Sequence, residues 1–316
     1  MKKTEALLLI VALIAITLSS CARRELALSS NSGKISVVST IFPGYDFARE
    51  ISAGKADVYM LLPPGSESHS FEPTPADIIM IQNCDVFIYA GGESDEWVRG
   101  ILDSMDTGNM KVISMIDCVD AVEEELAEGM EEEEEEDPAE PEYDEHVWTS
   151  PKNAALIATS IKNALCESDP ANASSYESSA SMYIAKLEKL DLEFMEVIGK
   201  ATRKTIVFGD RFPFRYLADA YGLDYYAAFP GCSTETECSA ATVAFLIDKV
   251  KAENIPVVFH IELSNEKIAN AISEESGAGV RLLHAVHNIS KADFDAGEGY
   301  VSLMEKNVEA LKEALL

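Results

Sequence analysis

Five histidines are the residues of this chain best suited to chemistry, and the sequence places them selectively. His69 lies in PPGSESHSFEPTPADI and His146 in EYDEHVWTSPKNA, and both segments combine turn residues with a helix start, as site loops do. His260, His284 and His287 flank or end two apolar segments near the C-terminus. Neutral imidazole is the commonest protein ligand for divalent transition metals. The histidines therefore indicate a metal site.

The elements that must position these histidines alternate between short β-rich runs and helical patterns, which predicts α/β lobes. Strands are predicted at 35–39, 58–62, 86–90 and 112–116, and again at 205–208, 225–228, 257–261 and 280–284. The pattern changes in the middle, where apolar residues recur at helical spacing. A helix of roughly thirty residues would span about 45 Å and suits a rigid connection between two lobes. The predicted fold is an N-terminal lobe at 34–168, a linking helix at 169–203 and a C-terminal lobe at 204–316.

The first twenty residues have the pattern of a secretory signal. Lys2 and Lys3 precede an apolar run at 6–18 that is too short to span a bilayer. The ending Leu-Ser-Ser-Cys at Cys21 resembles the lipobox of bacterial lipoproteins, which implies cleavage before Cys21 and lipidation of its thiol. We therefore expect a tether at 21–33 and a mature protein anchored by lipid on the extracytoplasmic side of the cell membrane.

The formal net charge of −30 argues against nucleic acid and anionic lipid surfaces as partners. Much of this charge lies in an acidic stretch at about 120–145 that includes Glu131 to Glu136 without interruption. Such a block favours a solvated, mobile loop, and a low-affinity collector of cations is the functional alternative.

Five cysteines remain once Cys21 is set aside, and the odd number leaves at least one unpaired. Cys232 and Cys238 flank a short STETE segment and are the expected disulfide pair. Their spacing matches no zinc-ribbon pattern, so structural use or plain burial is expected for all five.

Two motifs, in order along the chain, resemble those of the metal-binding lipoproteins of ABC importers, the zinc and manganese solute-binding proteins of cluster A-I. HSFEPTPAD at His69 is similar to that family's H-x-x-E-P-T-P-x-D loop. DEHVWTSP at His146 is similar to its D-P-H-x-W-x-S-P motif, with Glu145 in place of proline. The resemblance covers the whole chain after the signal. It implies two α/β lobes joined by a long helix, with one divalent cation in the cleft between them.

The resemblance also implies a ligand set, from which this sequence departs. The first two ligands would be His69 and His146. The third position falls on Arg211, which has no lone pair to donate to a metal. Asp210, one residue earlier, is the nearest substitute, and an ion pair of Asp210 with Arg211 or Arg215 is an equally good explanation of it. Glu262 and water remain alternatives for the third ligand.

The fourth position falls in LLHAVHN, where His287 aligns better than His284. His260, His284 and Glu262 are expected beside the ligands, where they could orient a ligand imidazole through its other ring nitrogen. The expected metal ligands are therefore His69, His146, Asp210 and His287.

Three nitrogens and one oxygen favour Zn²⁺, and a set richer in carboxylates would suit Mn²⁺ better. The predicted function is an extracytoplasmic, monomeric receptor that captures zinc and delivers it to an ABC permease. One alternative keeps the fold and binds manganese, or a non-metal or chelate ligand, because of Arg211. A secreted zinc hydrolase is a further alternative, but the sequence lacks an H-E-x-x-H motif, and a binding protein rather than an enzyme is expected.

Overall fold

A computed structural model of the protein describes residues 33–68, 71–130, 143–233 and 238–316. Within it, Gly33–Leu316 forms one compact unit. The predicted signal segment, the tether, His69 and the Glu131–Glu136 run lie outside the described residues.

The first lobe is built on a four-stranded parallel sheet in the order β2-β1-β3-β4. Its strands are β1 Ser36–Ser39, β2 Asp57–Met60, β3 Val86–Tyr89 and β4 Lys111–Ser114. Its helices are α1 Phe42–Ser52, α2 Pro75–Gln82, α3 Glu96–Asp103 and α4 Pro151–Ser168. Val37, Val38 and Phe87 have no exposed surface, as expected for parallel strands that are covered on both faces.

The second lobe repeats this plan with a parallel sheet in the order β6-β5-β7-β8. Its strands are β5 Thr205–Arg211, β6 Asp224–Phe229, β7 Val257–His260 and β8 Gly279–Leu282. Its helices are α6 Arg215–Tyr221, α7 Ala240–Glu253, α8 Lys267–Ser276, α9 Lys291–Ala296 and α10 Tyr300–Leu315.

Helix α5, Ala173–Gly199, connects the two lobes. Its 27 residues correspond to about 40 Å at the α-helical rise. It buries one face against α4, α1 and α10, and that face carries Tyr183, Leu187, Leu190 and Phe194. The helix is therefore held along its length by elements from both ends of the chain.

One apolar cluster runs through both lobes and includes Phe47, Trp148, Phe194, Phe208 and Tyr300. A second, smaller cluster lies under α7 and α8 on the other side of the second sheet. The shared cluster means that the two sheets are parts of one packed body.

The predicted fold class, two α/β lobes with a long connecting helix, is confirmed. Every predicted strand is present, with ends that differ by at most three residues. The short helix α9, whose start is capped by the Ser290 hydroxyl, was not predicted. Among the described helices, none is both long enough and apolar enough to cross a membrane.

Asn307 of α10 fixes the chain where it leaves β8. Its side chain accepts the His284 N–H at 2.7 Å and donates to the His284 carbonyl at 2.8 Å. Asn307 has no exposed surface, so both backbone groups depend on this one amide.

We predict that Asn307→Leu, which is similar in size, lowers the free energy of unfolding by about 2–6 kcal/mol. It leaves a buried N–H and a buried carbonyl without partners, at about 1–3 kcal/mol each. Chemical denaturation of the metal-free protein measures the change. Asn270→Leu on exposed α8 surface is the control. Equal stability of the two variants would contradict the role given to Asn307.

Candidate metal centre

Three buried side chains converge in the cleft between the lobes: Glu145, His146 and His287. One potential ligand atom from each lies within 4.8 Å of the others. Glu145 and His146 precede α4 of the first lobe, whereas His287 follows β8 of the second. Residues from both lobes therefore meet at one point.

His146 is held in place by its own neighbours in sequence. Asp144 accepts the His146 backbone N–H at 2.8 Å and contacts the ring Nδ1 at 3.1 Å. A carboxylate on one ring nitrogen orients the other nitrogen toward a metal, as is common for histidine ligands. Gly231 packs so closely that a Cβ there would lie 3.1 Å from His146 Cε1. His146 is therefore fixed in position and orientation.

His287 lies on a segment, Ala285–Ile289, that belongs to the second lobe in sequence and contacts the first lobe. Trp148 donates its indole N–H to the Ala285 carbonyl at 2.8 Å. Asn288 donates to the carbonyls of Pro63 and Ser66 at 2.8 and 2.7 Å. These bonds hold the backbone around His287 against the first lobe, so that its ring lies near His146.

Val286 has a φ of +58°, a left-handed conformation that is rare for a β-branched residue. Its side chain is fully buried, so packing holds this strained backbone in place. The turn at Val286 separates the strand end from His287.

Trp148 packs against both imidazoles. Its ring centroid lies 5.6 Å from that of His146 and 4.9 Å from that of His287, and the two imidazole centroids are 4.8 Å apart. The tryptophan of the His146 motif thus sets the spacing between the two histidines.

Glu145 is fully buried and is held by Ser94. The Ser94 N–H donates to Oε2 at 3.0 Å and its hydroxyl to Oε1 at 2.6 Å. Oε1 lies 3.5 Å from Nε2 of His287. Sequence reasoning missed Glu145, and the only signal was its position before His146, where the similar family carries proline.

The electrostatics of the cluster follow from burial and neighbouring charge. Burial lowers the pKa of His287, and Glu145 partly offsets this. Burial also acts to lower the pKa of His146, but the Asp144 and Glu145 carboxylates outweigh it and leave that pKa raised. Burial, followed by the charge of Glu145, raises the pKa of Asp95 to about 7. A divalent cation would reduce this repulsion between buried carboxylates.

A small cavity of about 20 Å³ adjoins His287, lined by Glu67, Arg211, Glu262 and Asn288 among others. Arg211 donates to Glu67 Oε1 and to the Ser233 carbonyl, both at 3.2 Å. Glu262 accepts the Ala285 N–H through Oε2, and its buried Oε1 has no hydrogen-bond partner among the described residues. Burial raises the pKa of Glu262 to about 7.

The structure brings together two of the four predicted ligands, His146 and His287. His69 lies outside the described residues. Asp210 is absent from the cluster of described residues. Its Oδ1 accepts the N–H of Arg211 at 2.9 Å and its Oδ2 that of Ile261 at 3.3 Å. The assignment of Asp210 as a ligand therefore stays a prediction that the structure does not support.

The other two histidines also lie outside the cluster of described residues. His260 contacts the Ile261 carbonyl through Nδ1 and Glu266 through Nε2. His284 is buried under α10.

Two sequence expectations fail near the site. Cys232 is a free thiol, as are Cys84, Cys118 and Cys166, so the expected Cys232–Cys238 disulfide is wrong. The predicted solvated loop also fails at its described C-terminal end, because Asp144 and Glu145 are buried.

Two parallel-sheet lobes that contribute imidazoles to a shared cleft define a solute-binding protein. The sequence model of the family described as zinc-uptake complex component A, periplasmic, matches residues 37–314. The chain belongs to this family.

Individual relatives agree with this assignment. The chain is 33% identical over 306 residues to the zinc-binding lipoprotein AdcA of Streptococcus pneumoniae, covering 97% of this chain and 60% of that protein. It is 34% identical over 311 residues to the high-affinity zinc uptake system protein ZnuA of Bacillus subtilis, covering 98% and 97%. The crystal structure of the Zn(II)-bound ZnuA-like domain of S. pneumoniae AdcA superposes with a TM-score of 0.75 at 32% identity, covering 90% and 99%. The chain thus spans about 60% of AdcA and nearly all of ZnuA.

We predict that His284 makes the metal-free protein less stable in acid. Burial, followed by the charge of Lys306, lowers the pKa of His284 to about 4, whereas an unfolded histidine titrates near 6.5. Between these values the unfolded chain binds the proton and the folded chain does not, so stability falls as pH drops from about 6.5 to 4. His284 accounts for about 3 kcal/mol of this loss.

Denaturation of wild type and His284→Gln, both with a chelator present, measures the effect across this pH range. Groups other than His284 titrate in both proteins, so the difference in slope isolates it. The variant is expected to have the shallower dependence. Identical slopes would contradict the prediction.

Proposed function

We propose that this protein captures zinc outside the cytoplasm and delivers it to an ABC permease for import. The observation that carries the proposal is the meeting of His146 and His287, from opposite lobes, in a buried cluster with a carboxylate. Imidazole nitrogens combined with carboxylate oxygen favour Zn²⁺, and Mn²⁺ is the alternative. Family membership and the names of AdcA and ZnuA support zinc as the cargo.

The proposed ligands include His69, on the strength of its motif, together with His146 and His287. The role is binding rather than catalysis, because a carrier must enclose its ion and release it unchanged. The proposed partner is a membrane permease, and the proposed location is the outer face of the cytoplasmic membrane through lipidated Cys21. The relatives named as lipoproteins support this location.

We predict that His146→Ala and His287→Ala each weaken zinc binding by more than about 100-fold, since loss of a direct ligand costs more than loss of an outer-shell partner. Titration against a competing chelator, with Zn²⁺ and Mn²⁺ in parallel, measures both affinity and preference. His260→Ala, outside the cluster, is the matched control. Wild-type zinc affinity in the His146→Ala/His287→Ala double variant would refute the site.

We also predict that Cys21→Ala releases the protein from the membrane fraction of a bacterial host that processes lipoproteins. Several acyl chains on one residue give stable anchoring, and an alanine at this position carries none. Fractionation followed by intact-mass measurement tests this, with Cys166→Ala as the control. A membrane-bound Cys21→Ala protein would contradict lipidation at Cys21.

A further inference from the structure

We propose that Glu145 is itself a ligand of the bound metal and supplies the carboxylate that the sequence assigned to Asp210. This inference rests on the proposed function, since it concerns the same site. It places a carboxylate and an imidazole from adjacent residues of the first lobe on one ion, opposite His287 of the second lobe.

The geometry brings Glu145 to the ion's position. Its carboxylate shares the 4.8 Å grouping with the ligand atoms of His146 and His287. Zinc ligands lie about 2.0–2.2 Å from the metal, so ligand atoms around one ion are separated by roughly 3–4 Å. The observed 3.5 Å between Glu145 Oε1 and His287 Nε2 falls in that range. Binding therefore requires only a small contraction of the cluster.

The loop at 92–94 is shaped around the Glu145 side chain. Ser94 donates one hydrogen bond to each carboxylate oxygen, which fixes the plane of the carboxylate. Gly92 lies so close that a Cβ there would be 2.2 Å from Glu145 Cβ and 2.4 Å from Oε2. Any other residue at position 92 would displace Glu145. Ligating carboxylates are commonly held by hydrogen bonds of this kind.

Charge supplies a second argument for a bound cation. Asp95, Asp144 and Glu145 have exposed fractions of 6%, 1% and 0%. Asp144 contacts the ring of His146, and the charge of Glu145 acts on Asp95. Burying several carboxylates together is costly unless positive charge accompanies them. A dication coordinated by Glu145 places that charge at the centre of the group.

Asp210 is less suited to this role, because the cluster of described residues groups Glu145, but not Asp210, with His146 and His287. Asp210 accepts the backbone N–H of Arg211 and that of Ile261, and the second bond ties the end of β5 to the residue that follows β7. The neighbouring Arg211 brings a positive charge to the same strand end. Coordination by Glu145 and coordination by Asp210 therefore predict opposite results when the two residues are substituted in parallel.

The experiment compares Glu145→Gln and Asp210→Asn, each an isosteric loss of charge. Zinc affinity is measured by chelator competition, and coordination by the visible absorption of the Co²⁺-substituted protein. We expect Glu145→Gln to bind zinc at least about 10-fold more weakly and to change the cobalt spectrum, with Asp210→Asn keeping the wild-type spectrum. Glu145→Ala is a second variant, and thermal unfolding of each metal-free protein confirms that it folds.

The outcomes separate this inference from the proposed function. A wild-type cobalt spectrum and zinc affinity in Glu145→Gln, with His287→Ala impaired, would overturn the role of Glu145 alone. A spectral change confined to Asp210→Asn would also overturn it and restore Asp210. Failure of the wild-type protein to bind zinc, or full binding by His287→Ala, would remove the proposed function and this inference together.

Discussion

The structure depends on the way Ala285–Ile289 crosses from the second lobe to the first. Five hydrogen bonds hold the segment there: Trp148 to Ala285, Phe42 N–H to the His287 carbonyl, Gly65 N–H to the Ile289 carbonyl, and two from Asn288. Without this crossing His287 would remain with its own sheet and could not meet His146. Two further features fix this crossing. Asn307 holds His284, the residue just before the segment, and the left-handed conformation of Val286 turns the chain within it. Val286 and Ile289 of this segment belong to the apolar cluster that the two lobes share.

This crossing makes the two sides of the cleft unequal. On one side, Ala285–Ile289 is attached to the first lobe by hydrogen bonds of buried backbone groups. Breaking these bonds would leave buried polar groups without partners, at a high cost in free energy. Arg211 itself reaches the first lobe through an ion pair with Glu67, whose side chain is 42% exposed. An exposed pair of this kind is worth at most about 1 kcal/mol. Rigid separation of the lobes would therefore have to break the strong side, whereas local movement at Glu67 and Arg211 is cheap. Local movement at Glu67 and Arg211 is therefore the less costly way to exchange an ion.

Local patterns in the sequence were sufficient for the fold and insufficient for part of the site. The strands were recognisable because parallel strands, covered on both faces, are short runs of Val, Ile and Phe between turn residues. The His146 motif was recognisable because its residues are adjacent in the chain. Glu145 was not, since an acidic stretch of this composition favours a solvated loop, and its partners Ser94 and His287 are distant in sequence. The surroundings of Asp210 were hidden for the same reason: the Ile261 N–H that donates to its carboxylate follows a neighbouring strand, and only the β5–β7 pairing brings it there.

The arginine at position 211 is the residue hardest to reconcile with a cation site, and its surroundings explain how the site tolerates it. Two like charges repel strongly in a buried region, so an uncompensated guanidinium beside a dication would oppose binding. Here the guanidinium donates to the Glu67 carboxylate and to the Ser233 carbonyl. These two acceptors compensate its positive charge. The buried carboxylates of Asp144 and Glu145 lie on the side of the histidines. Within the cluster of described residues, the first lobe contributes the carboxylate of Glu145 and the second lobe contributes His287 as a neutral donor. With the proposed ligands, the carboxylate of the first lobe would attract the ion, and His287 of the second lobe would complete its coordination.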